Sequence, residues 1–380
     1  MEQKIQMIDL KGQYLKIRTE VDAGIQEVID SSAFIGGPAV KDFAAHLSAY
    51  MDGCHVVPCA NGTDALQIAL MALGLKPGDE VIVPAFTYVA SAEVIGLLGL
   101  TPVMVDVDPR TFNVTVENLR KGLSANTKAI IPVHLFGQSC DMEPILAFAR
   151  ENGLYVVEDN AQAIGAEYTF SDGHREKTGT MGTIGCTSFF PTKNLGCYGD
   201  GGALFTRDEV LAERIRMVAN HGQVVKYHHK VIGCNSRLDS IQAAVLDVKL
   251  KHLDDYCQAR HEAAAYYTKR LKAFDPLEQH VVAPFEASYS THVYHQYTLL
   301  VKEGRRDALR EHLASKGIPS MVYYPLPLQE QEAFRHITRA AELLEASKQC
   351  AASVLSLPMH TELTHAMQDE IIAAIVSFFK

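Results

Sequence analysis

Between about residues 55 and 250, short apolar runs rich in β-branched residues alternate with stretches whose apolar positions recur at helical spacing. The runs 80–84, 103–107, 129–133, 154–158, 186–190 and 203–206 are the predicted strands, with helices between them. Strand and helix alternating over this length imply βαβ units, and so a mostly parallel sheet flanked by helices. One helix start is well marked. Gly62-Thr63-Asp64 after Asn61 supplies capping groups ahead of Ala65, Leu66, Ile68, Ala69 and Leu70, and Lys76-Pro77-Gly78-Asp79 then turns the chain. After about Leu250 the pattern shifts to longer amphipathic segments such as 259–274, with a few strands such as 297–301. The expectation is an α/β protein of two domains, a large one over residues 1–250 and a smaller C-terminal α/β domain over 251–380.

The 380 residues, 47% hydrophobic and 21% charged, suffice for a sizeable core. The formal net charge of −10 is spread without long single-sign runs. That gives no basic footprint for nucleic acid or an anionic membrane, and leaves any anionic substrate to local groups. Eight cysteines are scattered with no Cys-x-x-Cys pair, which points to a reducing compartment, the cytoplasm. The first ten residues lack a basic stretch followed by an apolar one, and the most apolar window, 92–107, is interrupted by Glu93, Pro102 and Asp106. Neither export nor a membrane span is expected.

Chemistry concentrates around three stretches. Lys193 stands in Ser188-Phe189-Phe190-Pro191-Thr192-Lys193-Asn194-Leu195-Gly196, just past an apolar run and ahead of Gly199-Asp200-Gly201-Gly202. A lysine at such a strand edge, accessible to solvent yet held by rigid backbone, can bond an aldehyde cofactor once its amine is neutral. The bland alternative is a surface lysine with a solvated head. Upstream, an apolar run leads into Glu158-Asp159-Asn160-Ala161-Gln162. Ligands of open α/β sheets bind beyond the carboxyl ends of the strands, where a carboxylate can pair with a protonated pyridine nitrogen. Asp159 is the natural candidate, helix capping its other possible role. Asn61-Gly62-Thr63-Asp64 offers backbone N–H groups, a hydroxyl and a positive helix end, a phosphate cradle to which Ser188 could add a second hydroxyl. A capped helix that binds nothing has the same signature. Tyr88 could stack on a flat heteroaromatic ring or belong to the core. His228-His229 and His292-x-x-His295 lack a third ligand at a recognisable spacing, so no metal is expected. No P-loop and no Gly-x-Gly-x-x-Gly occurs.

From Ile8-Asp9-Leu10 to Leu357-Pro358-Met359-His360 the chain resembles the DegT/StrS-type sugar-nucleotide aminotransferases of the fold type I, aspartate aminotransferase, superfamily. The most specific stretches are Ala60 through Leu66, Glu158 through Gln162, the Lys193 run, and Gly233-Cys234-Asn235-Ser236-Arg237-Leu238-Asp239 with Gln242-Ala243-Ala244. The resemblance implies pyridoxal 5′-phosphate as cofactor, with Lys193 as its Schiff-base lysine and Asp159 at the ring nitrogen. It implies Gln162 beside the phenolic oxygen, Tyr88 on the ring, and Gly62, Thr63 and Ser188 at the phosphate. Asn235 would reach that phosphate from the partner subunit of a homodimer. His221-Gly222-Gln223, Tyr227-His228-His229 and Arg237 look most like members that aminate carbon 3 of a UDP-linked, N-acetylated hexuronate. Arg237, His229 and Tyr324 would then contact the sugar nucleotide.

The implied reaction converts UDP-2-acetamido-2-deoxy-3-oxo-glucuronate to its 3-amino product with L-glutamate as donor, for cell-surface polysaccharide. The alternative acceptor is a dTDP-linked 3-keto or 4-keto 6-deoxy sugar. The chain departs from the family pattern at Tyr323, where many relatives have histidine before Tyr-Pro, and at Gln329, where histidine often follows Pro-Leu. Both departures bear on the sugar's carboxylate contact. Rival readings are a sugar dehydratase of similar fold, which would carry histidine in place of Lys193, a non-catalytic cofactor-binding regulator, and a nicotinamide oxidoreductase, which lacks its glycine fingerprint here.

Overall fold

Eight strands form one sheet in the order His55–Cys59, Gly202–Thr206, Ile184–Ser188, Tyr155–Asp159, Thr127–Ile130, Glu80–Pro84, Thr101–Val105 and Arg339–Ala340. The computed structural model describes residues 4–273, 279–341 and 343–380. Only Gly202–Thr206 runs against its neighbours; all other adjacent pairs are parallel. The cause lies in the strand sequences. Glu80–Pro84 is buried at every position and Thr101–Val105 at all but its first, so these parallel strands need cover on both faces, and helices supply it.

The expected strands are all present, several with ends displaced by one to three residues. Thr101–Val105, Thr127–Ile130 and Ile184–Ser188 begin and end earlier than their apolar runs. Val107 and Phe189 are buried beyond the ends of their strands, where the chain leaves the sheet into packed loops, and Val133 is buried in an isolated parallel bridge to Asp159. Two strands of this sheet were not expected. His55–Cys59 contains Pro58, which reads as a breaker, but this is an edge strand, where a missing N–H is tolerated. Arg339–Ala340 is too short for a pattern; the Arg339 guanidinium pins it by donating to Glu80 Oε1 and Oε2 at 3.2 and 2.8 Å and to Gly122 O at 2.7 Å.

A second, antiparallel sheet joins Val281–Val282, Tyr297–Val301 and Val354–Leu357. With the helices Leu253–Lys272, Arg306–Ser315 and His365–Phe379 it buries a separate core containing Tyr267, Tyr297, Leu299, Leu313, Leu357 and Ile371. The first of these helices starts earlier than the sequence pattern suggested, and Phe274, its expected end, lies outside the described residues. The two cores are not strictly consecutive in sequence. Ile5 packs into the second core, while Arg339–Ala340 adds to the first sheet. Among the described residues no helix is long and apolar enough to cross a membrane, and all eight cysteines are free thiols.

Candidate active site

The parallel strands deliver their carboxyl ends to one side of the sheet, where a cavity of about 490 Å³ opens. Eight of the eleven residues expected from sequence line it: Gly62, Thr63, Tyr88, Asp159, Gln162, Ser188, Lys193 and Tyr324.

Gly62 is the first residue of the helix Gly62–Leu73, whose cap is Asn61: its side-chain oxygen accepts from Asp64 N at 2.8 Å. The first N–H groups of a helix have no partner within it, and they point at the cavity end together with the dipole. The helix start lies hard against the sheet. A Cβ on Gly62 would stand 2.7 Å from Ser188 Cβ, so only glycine allows this approach. The result is an anion cradle of free N–H groups beside the Thr63 and Ser188 hydroxyls.

Asp159 ends its strand and is 6% exposed. Its Oδ2 accepts from Ser91 Oγ at 2.7 Å and its Oδ1 from Ala161 N at 3.1 Å. Glu158 beside it serves the scaffold. Fully buried, it accepts from Gly179 N at 2.7 Å, Met181 N at 2.8 Å and Gly182 N at 2.5 Å, and pairs with His134 Nε2 at 2.9 Å. His134 Nδ1 accepts from Cys140 N at 3.1 Å, so the ring proton sits on Nε2 and donates to Glu158.

The Lys193 loop is fastened from both flanks. On one side the helix Ser240–Leu250 sends the buried Lys249 ammonium to Gly196 O at 2.6 Å, and Gln242 Oε1 accepts from Tyr198 N at 2.8 Å. On the other, Asn194 Nδ2 donates to Val293 O at 3.0 Å. The Lys193 side chain is more enclosed than the solvent-accessible lysine the loop suggested. Burial lowers its pKa to about 8, opposed by the negative charge of Asp159. A cavity wall therefore favours the neutral amine that nucleophilic attack requires.

Gln162 bridges two segments: Oε1 accepts from Phe136 N at 2.7 Å, and Nε2 donates to Tyr324 OH at 3.0 Å. Burial pushes the Tyr324 phenol up, so it stays protonated at neutral pH. The Tyr88 and Tyr324 ring centroids lie 6.0 Å apart.

The other three expected residues lie elsewhere on this chain. His229 is exposed on the hairpin Gln223–Val225 with His228–His229, its Nδ1 2.8 Å from His221 O. Asn235, in an isolated bridge with Asn220, and Arg237 are not part of the cavity wall. None of the three lines the cavity.

Sequence reasoning missed Ser91, and it noticed His295 only as half of a spacing without a third ligand. His295 lines the cavity and is buried; burial, then the positive charges of Lys193 and Arg260, hold it neutral. His292 is also buried, its pKa lowered to about 3 by burial, and its Nδ1 accepts from Tyr294 N at 3.0 Å. Among the described residues no group of three His, Cys, Asp or Glu side chains could hold a metal. The available signal for Ser91 was its four-residue spacing from Thr87, which puts both hydroxyls on one side of a helix start.

A profile described as the DegT/DnrJ/EryC1/StrS aminotransferase family matches residues 15–376. A "Pleiotropic regulatory protein" of Geobacillus stearothermophilus is 45% identical over 99% of this chain and 99% of its own length. A UDP-2-acetamido-2-deoxy-3-oxo-D-glucuronate aminotransferase of Pseudomonas aeruginosa is 44% identical over 98% of this chain and all of its own. Among solved structures, S. venezuelae DesV in complex with a ketimine intermediate superposes with a TM-score of 0.92 at 38% identity, over 99% of this chain and 98% of the other.

Proposed function

Since this chain belongs to the DegT/DnrJ/EryC1/StrS aminotransferase family, we propose that it moves an amino group from L-glutamate to carbon 3 of UDP-2-acetamido-2-deoxy-3-oxo-glucuronate. That it is a pyridoxal-phosphate-dependent sugar-nucleotide aminotransferase follows from the family itself. The carrying observation is the lysine of lowered pKa, Lys193, in one cavity with Asp159 and an anion cradle. Those residues fit the cofactor: Gly62 N–H, Thr63 and Ser188 suit a phosphate, Asp159 a protonated ring nitrogen, Tyr88 the ring face and Gln162 its phenolic oxygen. Bound pyridoxal phosphate supplies an aldehyde for Lys193 and a ring that withdraws electrons from the reacting carbon.

The protein's groups do the rest. Asp159 holds a proton on the ring nitrogen. Lys193 Nζ, its pKa lowered to about 8 by burial and its nitrogen released when the donor arrives, takes the proton from the donor's α-carbon and returns it on the far side of the transferred nitrogen. Tyr324, kept protonated by burial and oriented by Gln162, offers a hydroxyl toward the sugar. The acceptor rests on the 44%-identical Pseudomonas aeruginosa relative and on Arg237, whose planar guanidinium suits a carboxylate or phosphate. Arg237, Asn235 and His229 stand outside their own chain's cavity, in the same stretch as exposed Val224, Val225, Tyr227 and Ile232. A second copy covering this apolar hairpin would bring them to its own cavity, which makes a homodimer with shared sites the natural assembly. Residues of the 1–250 portion would hold the cofactor, and the 251–380 portion would meet the sugar through Tyr324. Eight free thiols favour a cytoplasmic setting.

Purified protein offered glutamate with a panel of keto sugar nucleotides is expected to aminate the UDP-linked 3-keto hexuronate at least about tenfold faster than dTDP-linked 6-deoxy sugars, a difference of ~1.4 kcal/mol. Faster turnover of a dTDP sugar would overturn the acceptor assignment. Binding of cofactor with no 2-oxoglutarate released from any partner would favour the regulator, the reading that the Geobacillus stearothermophilus relative's name suggests for that protein.

A pH dependence arises from the lysine. Its ammonium must shed a proton before it attacks the aldehyde, and burial brings that step to about pH 8. The rate at which apoprotein combines with pyridoxal phosphate should climb with pH and level off above about 8. Stopped-flow absorbance reads it, and a rate still rising near pH 10, where an ordinary lysine titrates, would contradict the burial effect.

A further inference from the structure

Asp159 is served by a hydroxyl chain that takes no part in the transfer steps. Ser91 Oγ lies 2.7 Å from Asp159 Oδ2, and Thr87 Oγ1 lies 3.2 Å from Ser91 Oγ. Ser91 is fully buried, Thr87 is 1% exposed, and Thr87 and Asp159 both line the cavity. Distance alone leaves the Thr87–Ser91 direction open, but chemistry settles it. A serine hydroxyl has one proton to give, and a carboxylate only accepts. Ser91 therefore spends its proton on Asp159 and must receive one from Thr87. The bonds all run one way, from Thr87 to Ser91 to Asp159, and hydrogen bonds aligned like this polarise one another.

We propose that Thr87 and Ser91 are positioning residues that fix how Asp159 shares a proton with the cofactor's ring nitrogen. The inference rests on the reading of the cavity as a pyridoxal phosphate site. Charge drawn toward Oδ2 leaves the carboxylate a weaker competitor for the proton it faces, so the proton stays on the ring nitrogen. The same bond, with Ala161 N on Oδ1 at 3.1 Å, stops the carboxylate from rotating. Without the Ser91 proton, Asp159 pulls harder and the shared proton moves from the ring to the carboxylate.

The test is a pH titration of the visible absorbance of cofactor-loaded protein. A proton on the ring nitrogen repels a second proton at the Lys193 nitrogen and holds the midpoint of that band down. Ser91→Ala should raise the midpoint by about one pH unit, the order of one hydrogen bond to a charged group. Thr87→Val should raise it by less, and should add nothing in a Ser91→Ala background, because Thr87 acts through Ser91. Ser91→Cys, a weaker donor, should fall between Ser91→Ala and wild type. Where Ser91→Ala does not hold cofactor, the Thr87→Val and Ser91→Cys midpoints decide. Loaded variants that titrate like wild type, or additive Thr87 and Ser91 shifts, would overturn the relay while leaving the site reading intact. A wild-type protein that develops no visible band would instead overturn the site reading and the relay with it.

Discussion

Lys193→Ala is expected to abolish amino transfer, with the rate falling at least about 10⁴-fold, because one nitrogen both forms the covalent link and carries the proton. The fold should survive. Burial disfavours the charged form of Lys193, so alanine removes a group that the cavity wall solvates poorly. Two measurements check this. Glutamate and acceptor turnover should vanish in the variant, and borohydride should fix cofactor to the peptide containing Lys193 in wild type only. Turnover within tenfold of wild type would remove Lys193 from the chemistry.

The second large effect is expected at Asp159. Asp159→Ala should lower kcat by about 10²- to 10³-fold with cofactor saturating, the usual cost of losing one preorganised charge at a reacting centre. It should also cost stability, about 1–3 kcal/mol, since Ser91 Oγ and Ala161 N lose their acceptor in a buried setting. Denaturant melts and steady-state rates separate the two losses. Asp159→Asn keeps the shape but brings amide protons toward a ring nitrogen that needs a carboxylate, so its kcat should fall nearly as far while its stability changes less. A kcat within threefold of wild type in both variants would exclude Asp159 from the ring nitrogen.

The parallel sheet was legible because strands such as Glu80–Pro84 and Thr101–Val105 are nearly continuous apolar runs, the mark of burial on both faces. Strand ends were displaced because hydrophobicity reports burial, and Val107 and Phe189 remain buried beyond the ends of their strands. The cradle was legible through capping chemistry around Asn61. The meeting of Lys193 with Asp159 is a product of topology: Tyr155–Asp159 and Ile184–Ser188 pair in parallel, so the chain leaves both strands at the same sheet edge. His295 arrives from the far third of the chain and Ser91 from a helix start with no motif of its own. A lone histidine or serine carries no local pattern, and only the folded chain reveals its neighbours.

Glu158 and Asp159 are consecutive on a single strand, opposite Gly185 and Cys186 in the ladder. Neighbouring strand residues face opposite ways, so one acid is committed to the scaffold and the other to the cavity. A slip of one position would exchange them, seating the shorter arm beneath the Gly179 to Gly182 turn and swinging the longer one into the reaction space. Several amide donors would then lack a mate, so the misaligned ladder is penalised at once. The pair of acids acts as a registration mark: the alignment that builds a firm protein is the same one that arms it.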